Sequence, residues 1–288
     1  MNETKIFRDS RGEEFGLTRI VEILKSLGAA DCDFLFVHSD IGFGLPIRGI
    51  RRGEYLGLLL RALETLAVKN LIMPAFTYSF PNRERFDLVN SRTHMGALNE
   101  YFRKEPGVKR SLDPLLSVAM RGPDTAIMEG IGKHSLGKNS FFDRLHNCKN
   151  VKFLCYGAQF AEIFTYLHYV EKMLDVPYRY DQPFTGEICN PNGDVYQDTW
   201  TIHTACYGVR PACHYYFQDE LIRSGYMKSA VLGDLPVTCI DEAAVFSAIV
   251  NKIETNVYYF LEKPFTQADL VHRYQYELGP DCPRVAHC

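Results

Sequence analysis

The sequence has no long uninterrupted hydrophobic run. Its most apolar stretch, residues 56–68, is interrupted by Arg61 and Glu64, and the first ten residues, MNETKIFRDS, contain no apolar segment. A membrane helix needs about 20 consecutive apolar residues, and a secretory signal needs a shorter apolar segment near the start. We therefore expect no membrane partner and no signal peptide.

The sequence also lacks an excess of positive charge. It has 32 Lys and Arg against 35 Asp and Glu, a net charge of −3, and no basic block interleaved with aromatic residues. Because nucleic-acid binding depends on neutralising many phosphates, we expect no nucleic-acid partner. The nine cysteines are an odd number, scattered from Cys32 to Cys288. They predict free thiols in a reducing, cytoplasmic environment.

Several common phosphate and metal motifs are absent. Gly42-Phe43-Gly44 follows a predicted strand, but Ile47 stands where a dinucleotide-binding fold has its third glycine, and Pro46 would obstruct the start of a helix. Neither a Walker phosphate loop nor an HExxH sequence occurs. The sequence therefore does not predict these nucleotide-binding or metalloprotease sites.

One set of residues has the chemistry of metal ligands. It lies within twelve residues and consists of His203, Cys206, Cys213 and His214. The spacing is irregular, and adjacent residues of a strand point to opposite faces, which separates Cys213 from His214. Buried thiols with surface histidines are the simpler interpretation. A metal-dependent hydrolase that uses these four residues is the competing hypothesis.

The chain is large enough for a substantial core, with 288 residues of which 46% are hydrophobic and 13% aromatic. A helical pattern over 17–27, a buried strand over 34–38, an irregular loop over 39–46, a helix over 54–66 and strands over 71–73 and 151–156 predict a layered α/β fold. The C-terminal third is expected to alternate short strands and helices, and its longest helical pattern covers 240–261. We find no repeat or linker, and we treat 1–288 as a single domain.

Three polar residues recur along a predicted helix over 161–174. On one helix, Thr165, His168 and Glu171 lie at i, i+3 and i+6 and present a hydroxyl, an imidazole and a carboxylate to a common region. An imidazole titrates near neutral pH, and a carboxylate one turn away can fix its tautomer. The set suits base catalysis on an amine, although a surface His/Glu pair would have the same spacing.

Seven segments, in a fixed order, resemble the aminoglycoside 3-N-acetyltransferase (antibiotic N-acetyltransferase) family. The resemblance extends over 34–262, is strongest up to Gly186, and is carried by FVHSDIGFG (36–44), LIMPAFTYSF (71–80), MGALNEYFRKEPGVKRSLDPLLSVAMRG (95–122), HSLGKNSFFDRL (134–145), VKFLCYGAQ (151–159), TYLHYVEK (165–172) and PYRYDQPFTG (177–186). It implies a three-layer α/β/α fold with a mixed β-sheet, which differs from the GNAT acetyltransferase fold. The GNAT pyrophosphate motif is indeed absent.

The resemblance also implies a reaction and a set of site residues. The donor would be acetyl-CoA, used as a co-substrate without a metal, and the acceptor a primary amine of an amino sugar. His168 would be the general base, Glu171 its orienting partner, and Thr165 a donor to the oxyanion. The implied donor-binding residues are His38, Ser39, Asp40, Gly42, Gly44, Arg110 and Ser111.

The chain departs from the family pattern at Asp113. The family reads Arg-Ser-x-His-Pro where this chain has Arg110-Ser111-Leu112-Asp113-Pro114. Asp113 could orient His168 or a substrate ammonium in catalysis, or it could cap the backbone of a turn before Pro114. The sequence leaves both roles open.

The acceptor and the assembly are also left open. The near-balanced charge is not typical of an enzyme dedicated to polycationic substrates. It favours a nucleotide-linked amino sugar, used in surface polysaccharide synthesis, as the acceptor. The residues 77–92 and 178–181 are candidates for the acceptor pocket. A protein that binds CoA without turnover is a further alternative, and a homodimer is one candidate assembly.

Overall fold

The computed structural model describes residues 4–274. Its strands are β1 (Lys5–Arg8), β2 (Glu14–Gly16), β3 (Phe34–Ser39), β4 (Leu45–Pro46), β5 (Asn70–Pro74), β6 (Phe86–Asp87), β7 (Lys109–Arg110), β8 (Val118–Arg121), β9 (Val151–Tyr156), β10 (Arg179–Cys189), β11 (Val195–Ala205), β12 (Met227–Leu232) and β13 (Leu235–Asp241). Its α-helices are α1 (Leu17–Ser26), α2 (Arg52–Glu64), α3 (Ala97–Phe102), α4 (Phe141–His146), α5 (Phe160–Ile163), α6 (Tyr166–Met173), α7 (Tyr215–Arg223) and α8 (Glu242–Thr255). Within this part of the chain no helix has the length and apolar character to cross a membrane.

A central sheet of seven strands organises the fold. Its strand order is β12-β13-β9-β3-β5-β8-β7. Strand β3 runs parallel to both β5 and β9, and the pairs toward the two edges are antiparallel. The predicted mixed sheet is confirmed.

Two hydrophobic cores cover the two faces of this sheet. Successive side chains of a strand point to opposite faces, so Phe34 and Phe36 of β3 enter one core and Leu35 and Val37 the other. The first core also contains buried residues of α4, α6, α7 and α8, and the second contains those of α1, α2 and α3. The predicted three-layer α/β/α architecture is therefore confirmed.

A long hairpin that the sequence did not predict lies between α6 and α7. Strands β10 and β11 have eleven residues each and pair antiparallel along their full length, from Arg179 opposite Ala205 to Cys189 opposite Val195. The turn between them contains Gly193 with φ of +88°, a backbone conformation that favours glycine. The short strand β6 pairs with the far end of β10. This hairpin brings residues 179–181 and 203–205 beside α6.

Two predicted helices have different bounds in the structure. The helix expected over 161–174 is divided into α5 and α6 because Phe164, with ψ of 77°, leaves the helical conformation. Its ring packs 4.3 Å from that of Phe160 and 5.0 Å from that of Phe153, so burial favours the break. The helical pattern over 240–261 begins in β13, where Ile240 pairs with Phe153, and the helix ends at Thr255.

Candidate active site

A cleft opens beside the ends of the parallel strands. Strand β9 ends at Tyr156, and the chain then forms α5 and α6, which carry polar side chains to this edge of the sheet. Ligands of open α/β sheets bind outside the carboxyl ends of such strands. The residues that line the cleft include Thr165, His168, Arg179, His203, Thr204 and His214.

His168 and Glu171 form a close pair on one face of α6. Nδ1 of His168 lies 2.7 Å from Oε2 of Glu171, and the Glu171 side chain is only 2% exposed. Burial alone would raise the pKa of Glu171, but the Arg179 cation and hydrogen bonds from His168 and Tyr178 outweigh it and hold the pKa at about 2. Glu171 is therefore a carboxylate beside Nδ1 of His168. In the tautomer that carries its proton on Nδ1, the ring donates to Glu171, and the Nε2 lone pair is the basic position.

Arg179, the first residue of β10, completes this cluster. Its Nε lies 2.7 Å from Oε2 of Glu171, and its Nη2 lies 2.7 Å from Nδ1 of His168. Tyr178 donates a hydrogen bond of 2.8 Å to the other carboxylate oxygen, Oε1 of Glu171. Both oxygens of Glu171 are thus held by neighbours, which fixes the carboxylate beside the imidazole.

The surroundings of His168 favour its neutral form. Burial lowers the pKa of His168 first, the Arg179 guanidinium lowers it further, and Glu171 offsets part of the effect. A base must be unprotonated to accept a proton, so a pKa below the ordinary value of 6.5 keeps this imidazole competent at neutral pH.

We expect NMR titration to detect this shift directly. The imidazole signals of His168, assigned by comparison with a His168→Ala spectrum, should titrate with a midpoint below 6.5, because burial and Arg179 both disfavour the imidazolium. A midpoint above 6.5 would show that Glu171 dominates the electrostatics and would contradict the description of a neutral base.

Thr165 lies at the start of α6 rather than inside a continuous helix. It is the N-terminal cap residue, and it lines the cleft together with His168. Its hydroxyl makes one long hydrogen bond of 3.4 Å, to the carbonyl of Ile163. The predicted grouping of Thr165, His168 and Glu171 therefore rests on a helix cap and two positions of α6.

The loop after β3 lies next to this cleft and is held by hydrogen bonds to other parts of the protein. The ring of His38 is buried and lies 6.5 Å from that of Phe164, which lines the cleft. Burial lowers the pKa of His38 to about 3, so it is neutral. Ser39 donates a 2.5 Å hydrogen bond to Oδ1 of Asn99. The N–H of Asp40 donates to Tyr156, and that of Gly42 donates to the Asp40 side chain.

Gly44 has a packing role in the same loop. Its φ is +151°, and a Cβ atom there would lie 2.3 Å from the carbonyl oxygen of Arg8 in β1. The close approach allows β4 to pair with β1. The glycine is thus required by the backbone whether or not the loop binds a ligand.

We expect Gly44→Ala to lower the free energy of unfolding by at least about 2 kcal/mol, because the Cβ meets backbone atoms in a strained conformation. Gly49→Ala is the matched control: its φ is +98°, but nothing lies within 4 Å of an added Cβ. The control should lose only about 1 kcal/mol. Equal losses in urea unfolding would show that the contact with Arg8 has no energetic effect.

The side chains of Arg110 and Ser111 form hydrogen bonds with other residues of the protein. The guanidinium of Arg110 donates to the carbonyls of Ser91 and Ala75, both at 2.6 Å, and to the Ser117 hydroxyl at 3.1 Å. The Ser111 hydroxyl accepts a hydrogen bond from the N–H of Val118. Neither residue lines the cleft, and these bonds connect neighbouring segments at the β7–β8 edge of the sheet.

Asp113 is not among the described residues that line the cleft, and its carboxylate is occupied by nearby groups. It is 2% exposed and accepts hydrogen bonds from the N–H groups of Leu115 and Leu116, at 2.8 and 2.9 Å, and from the hydroxyl of Ser135. Burial raises the pKa of Asp113 and these hydrogen bonds oppose the shift. This geometry is that of the turn-capping alternative.

The four metal-like residues are divided between different environments. His203 and His214 line the cleft, whereas Cys206 is buried and Cys213 is exposed and neither lines it. Within residues 4–274, no group of three or more His, Cys, Asp and Glu side chains is arranged to hold a metal ion. The hydrolase hypothesis therefore gains no support from the described residues.

Comparison with known proteins identifies what the chain is similar to. The family model described as aminoglycoside 3-N-acetyltransferase matches residues 58–254. No curated protein sequence matches the chain significantly.

Solved structures of similar fold cover most of the chain. AAC-IIIb in its complex with CoASH is 22% identical, covers 87% of this chain and 98% of its own, and superposes with a TM-score of 0.68. AAC-VIa bound to sisomicin is 19% identical, with coverages of 84% and 98% and a TM-score of 0.71. YokD from Bacillus subtilis is 20% identical, with coverages of 83% and 99% and a TM-score of 0.65. At these identities the likeness establishes the fold.

Proposed function

Because the chain belongs to the aminoglycoside 3-N-acetyltransferase family, we propose that it transfers an acetyl group from acetyl-CoA directly to a primary amine of an aminoglycoside or related amino sugar. The family makes it an acyltransferase. The single observation that carries the proposed mechanism is the His168–Glu171 pair, anchored by Arg179 in a cleft.

The proposed proton path starts at Nε2 of His168. This atom accepts a proton from the amine nitrogen as that nitrogen forms a bond to the acetyl carbonyl carbon. Glu171 stabilises the imidazolium through Nδ1–H, and Thr165 donates to the carbonyl oxygen as it gains negative charge. When the carbon–sulfur bond breaks, His168 returns the proton to the departing thiolate. The products are an N-acetylated sugar and CoA, with no metal and no covalent enzyme intermediate.

The loop from His38 to Gly44 is the proposed location of the donor. It follows β3 at the same edge of the sheet as the cleft, and the His38 and Phe164 rings lie close together. Acetyl-CoA supplies the activated thioester when bound. A solved structure of similar fold contains CoASH, which supports this donor. The internal bonds of Ser39, Asp40 and Gly42 shape the loop before the ligand arrives.

The charge of the cleft favours a weakly cationic acceptor. Among the described residues that line it, Glu162 is the one carboxylate, and Arg179 contributes a positive charge. A polycation is attracted by clustered negative charge. Structures of similar fold contain sisomicin or apramycin, so an aminoglycoside is the first candidate. The low negative charge of the cleft lining supports a different candidate, a nucleotide-linked amino sugar, which we rank second.

The two candidates are separated by a rate comparison. Purified protein is supplied with acetyl-CoA and either several aminoglycosides or several nucleotide-linked amino sugars, and release of the CoA thiol is followed. Turnover restricted to the nucleotide-linked sugars assigns a role in glycan synthesis, and turnover on aminoglycosides assigns antibiotic modification. CoA binding without turnover on any amine would favour the non-catalytic alternative and contradict the proposal.

A further inference from the structure

A second histidine–carboxylate pair faces the same cleft as His168. Asp181 of β10 and His203 of β11 are directly opposite each other in the hairpin. Nδ1 of His203 lies 2.7 Å from Oδ1 of Asp181. Both His203 and His168 line the cleft. The proposed reaction uses only one of these two imidazoles, so the second needs its own explanation.

Asp181 fixes the tautomer of His203. Its carboxylate also accepts a hydrogen bond of 2.7 Å from Nζ of Lys172 and lies 3.0 Å from Nε2 of His134. Burial alone would raise the pKa of Asp181, but these three neighbours lower it below its ordinary value. The carboxylate therefore accepts the Nδ1 proton of His203, and Nε2 of His203 presents a lone pair.

His203 remains neutral at physiological pH. Burial lowers its pKa to about 4, with Asp181 opposing the shift and Arg179 and Lys172 adding to it. Neutral imidazole with its proton on Nδ1 accepts a hydrogen bond at Nε2 but donates none there. A ligand that meets this atom must therefore offer an N–H or O–H group.

Nε2 of His203 has no hydrogen-bond partner within residues 4–274, although His203 is only 2% exposed. An unsatisfied buried acceptor is costly, and one that lines a ligand cleft is satisfied when a ligand binds. By contrast, Nδ1 of the same ring is fully used. The unpartnered Nε2 atom is therefore available to a ligand in the cleft.

One guanidinium links the two histidines. Arg179 places Nη2 2.7 Å from Nδ1 of His168 and donates from Nη1 to the backbone carbonyl of His203 at 3.3 Å. The guanidinium thus contacts the ring of His168 and the backbone of His203, and both side chains line the same cleft. A sugar that presents its amine to His168 therefore occupies the cleft that the His203 side chain also lines.

We propose that Nε2 of His203 binds the acceptor by accepting a hydrogen bond from a hydroxyl or ammonium group on the same sugar ring as the amine that is acetylated. This inference rests on the proposed function and narrows its substrate class to amino sugars with such a neighbouring donor. His203 is a specificity residue in this role, and Asp181 positions it.

Two substitutions test the roles of the two ring nitrogens of His203 separately. His203→Asn keeps an amide N–H near the Nδ1 position for Asp181 but has no atom at Nε2, whereas His203→Gln extends an amide oxygen to the Nε2 position. We expect His203→Asn to raise the acceptor KM at least ~10-fold, the loss of one hydrogen bond to a buried acceptor, with kcat and the acetyl-CoA KM little changed. His203→Gln should recover most of the affinity. His94→Asn, at an exposed histidine, is the control.

An acceptor analogue that lacks the neighbouring hydroxyl or amine provides the second arm. For the unmodified protein, the KM for this analogue should exceed the KM for the full acceptor by about the factor by which His203→Asn raises the KM for the full acceptor. For the His203→Asn variant, the two KM values should be equal. A higher KM of the variant for the analogue than for the full acceptor would overturn the inference.

The outcomes distinguish this inference from the proposed function. If the unmodified protein acetylates no amine, the proposed function fails. If it acetylates the amine and His203→Asn has an unchanged acceptor KM, only the role of His203 fails. Should both variants unfold, imidazole ¹⁵N NMR of the unmodified protein decides: acceptor binding should shift the His203 Nε2 signal, and an unshifted signal overturns the inference.

Discussion

Replacing His168 by alanine is expected to lower turnover by at least ~10²-fold while the affinity for acetyl-CoA changes little. The variant keeps Glu171 and Arg179, whose mutual contact at 2.7 Å does not involve the imidazole. It loses the only atom that we propose as the proton acceptor, and general-base catalysis typically contributes 10²–10⁴-fold. The effect should therefore appear in kcat and not in donor binding.

The control for this prediction is His94→Ala, which removes an exposed histidine outside the cleft. Initial rates at saturating acceptor, together with direct CoA binding, measure both quantities for each variant. A His168→Ala protein that is folded and retains near-original turnover would refute the role of the base. A parallel loss of CoA affinity would instead place His168 in donor binding.

Replacing Glu171 by glutamine is expected to lower the free energy of unfolding by about 3–5 kcal/mol. The Glu171 and Arg179 side chains are 2% and 5% exposed, and removal of one partner leaves the other charge buried without compensation. Urea unfolding at pH 7 measures the loss. A double variant, Glu171→Gln with Arg179→Met, should recover much of it, because the uncompensated charge is then removed as well.

The same pair gives stability a defined pH dependence. The folded-state pKa of Glu171, about 2, is below its ordinary value of 4.5. Its contribution is therefore fully present above about pH 4.5 and is lost as the pH falls toward 2. The difference in stability between the unmodified protein and Glu171→Gln should narrow across this interval. A difference that stays constant down to pH 2 would contradict the ionised carboxylate.

Turnover should respond less to Glu171→Gln than to His168→Ala. The glutamine amide oxygen can still accept the Nδ1 proton, whereas no group replaces the imidazole. Kinetics of the fraction that remains folded at pH 7 provide the comparison. Equal losses of kcat in both variants would make Glu171 a direct participant in proton transfer.

The fold was largely predictable because its central strands carry strong local signals. The strand at 151–156 has the predicted bounds, and β3 extends the prediction by one residue, to Ser39. Both strands are mostly apolar, with Lys152 in β9 and His38 and Ser39 at the end of β3 as the polar residues, as expected for parallel strands buried on two faces. The break at Phe164 was missed because it depends on packing against Phe153 of β9 and against Phe160. The spacing of apolar residues along a helix carries no information on these contacts.

The β10–β11 hairpin was also missed, although its turn had a signal. The residues Asn190-Pro191-Asn192-Gly193 are typical of a turn between two strands. The strands themselves contain many polar residues because much of the hairpin is exposed, which weakened the strand pattern. Since this hairpin supplies Arg179, Asp181 and His203, missing it also concealed half of the candidate site.

The sequence located the His168–Glu171 pair because both residues lie on one helix, where spacing determines proximity. Arg179 comes from another element, and its contact with Glu171 depends on how β10 packs beside α6. No spacing rule connects them. His203 was noticed for its chemistry but assigned to a metal-like set, and only the register of the hairpin shows its pairing with Asp181.

The most direct test of the account is amine-dependent release of the CoA thiol by the unmodified protein, with the product identified by mass spectrometry. The account predicts thiol release only when an amino sugar is present, in proportion to an N-acetylated product. Thiol release at the same rate without an amine, or a product without an acetylated nitrogen, would contradict direct transfer to an amine assisted by His168.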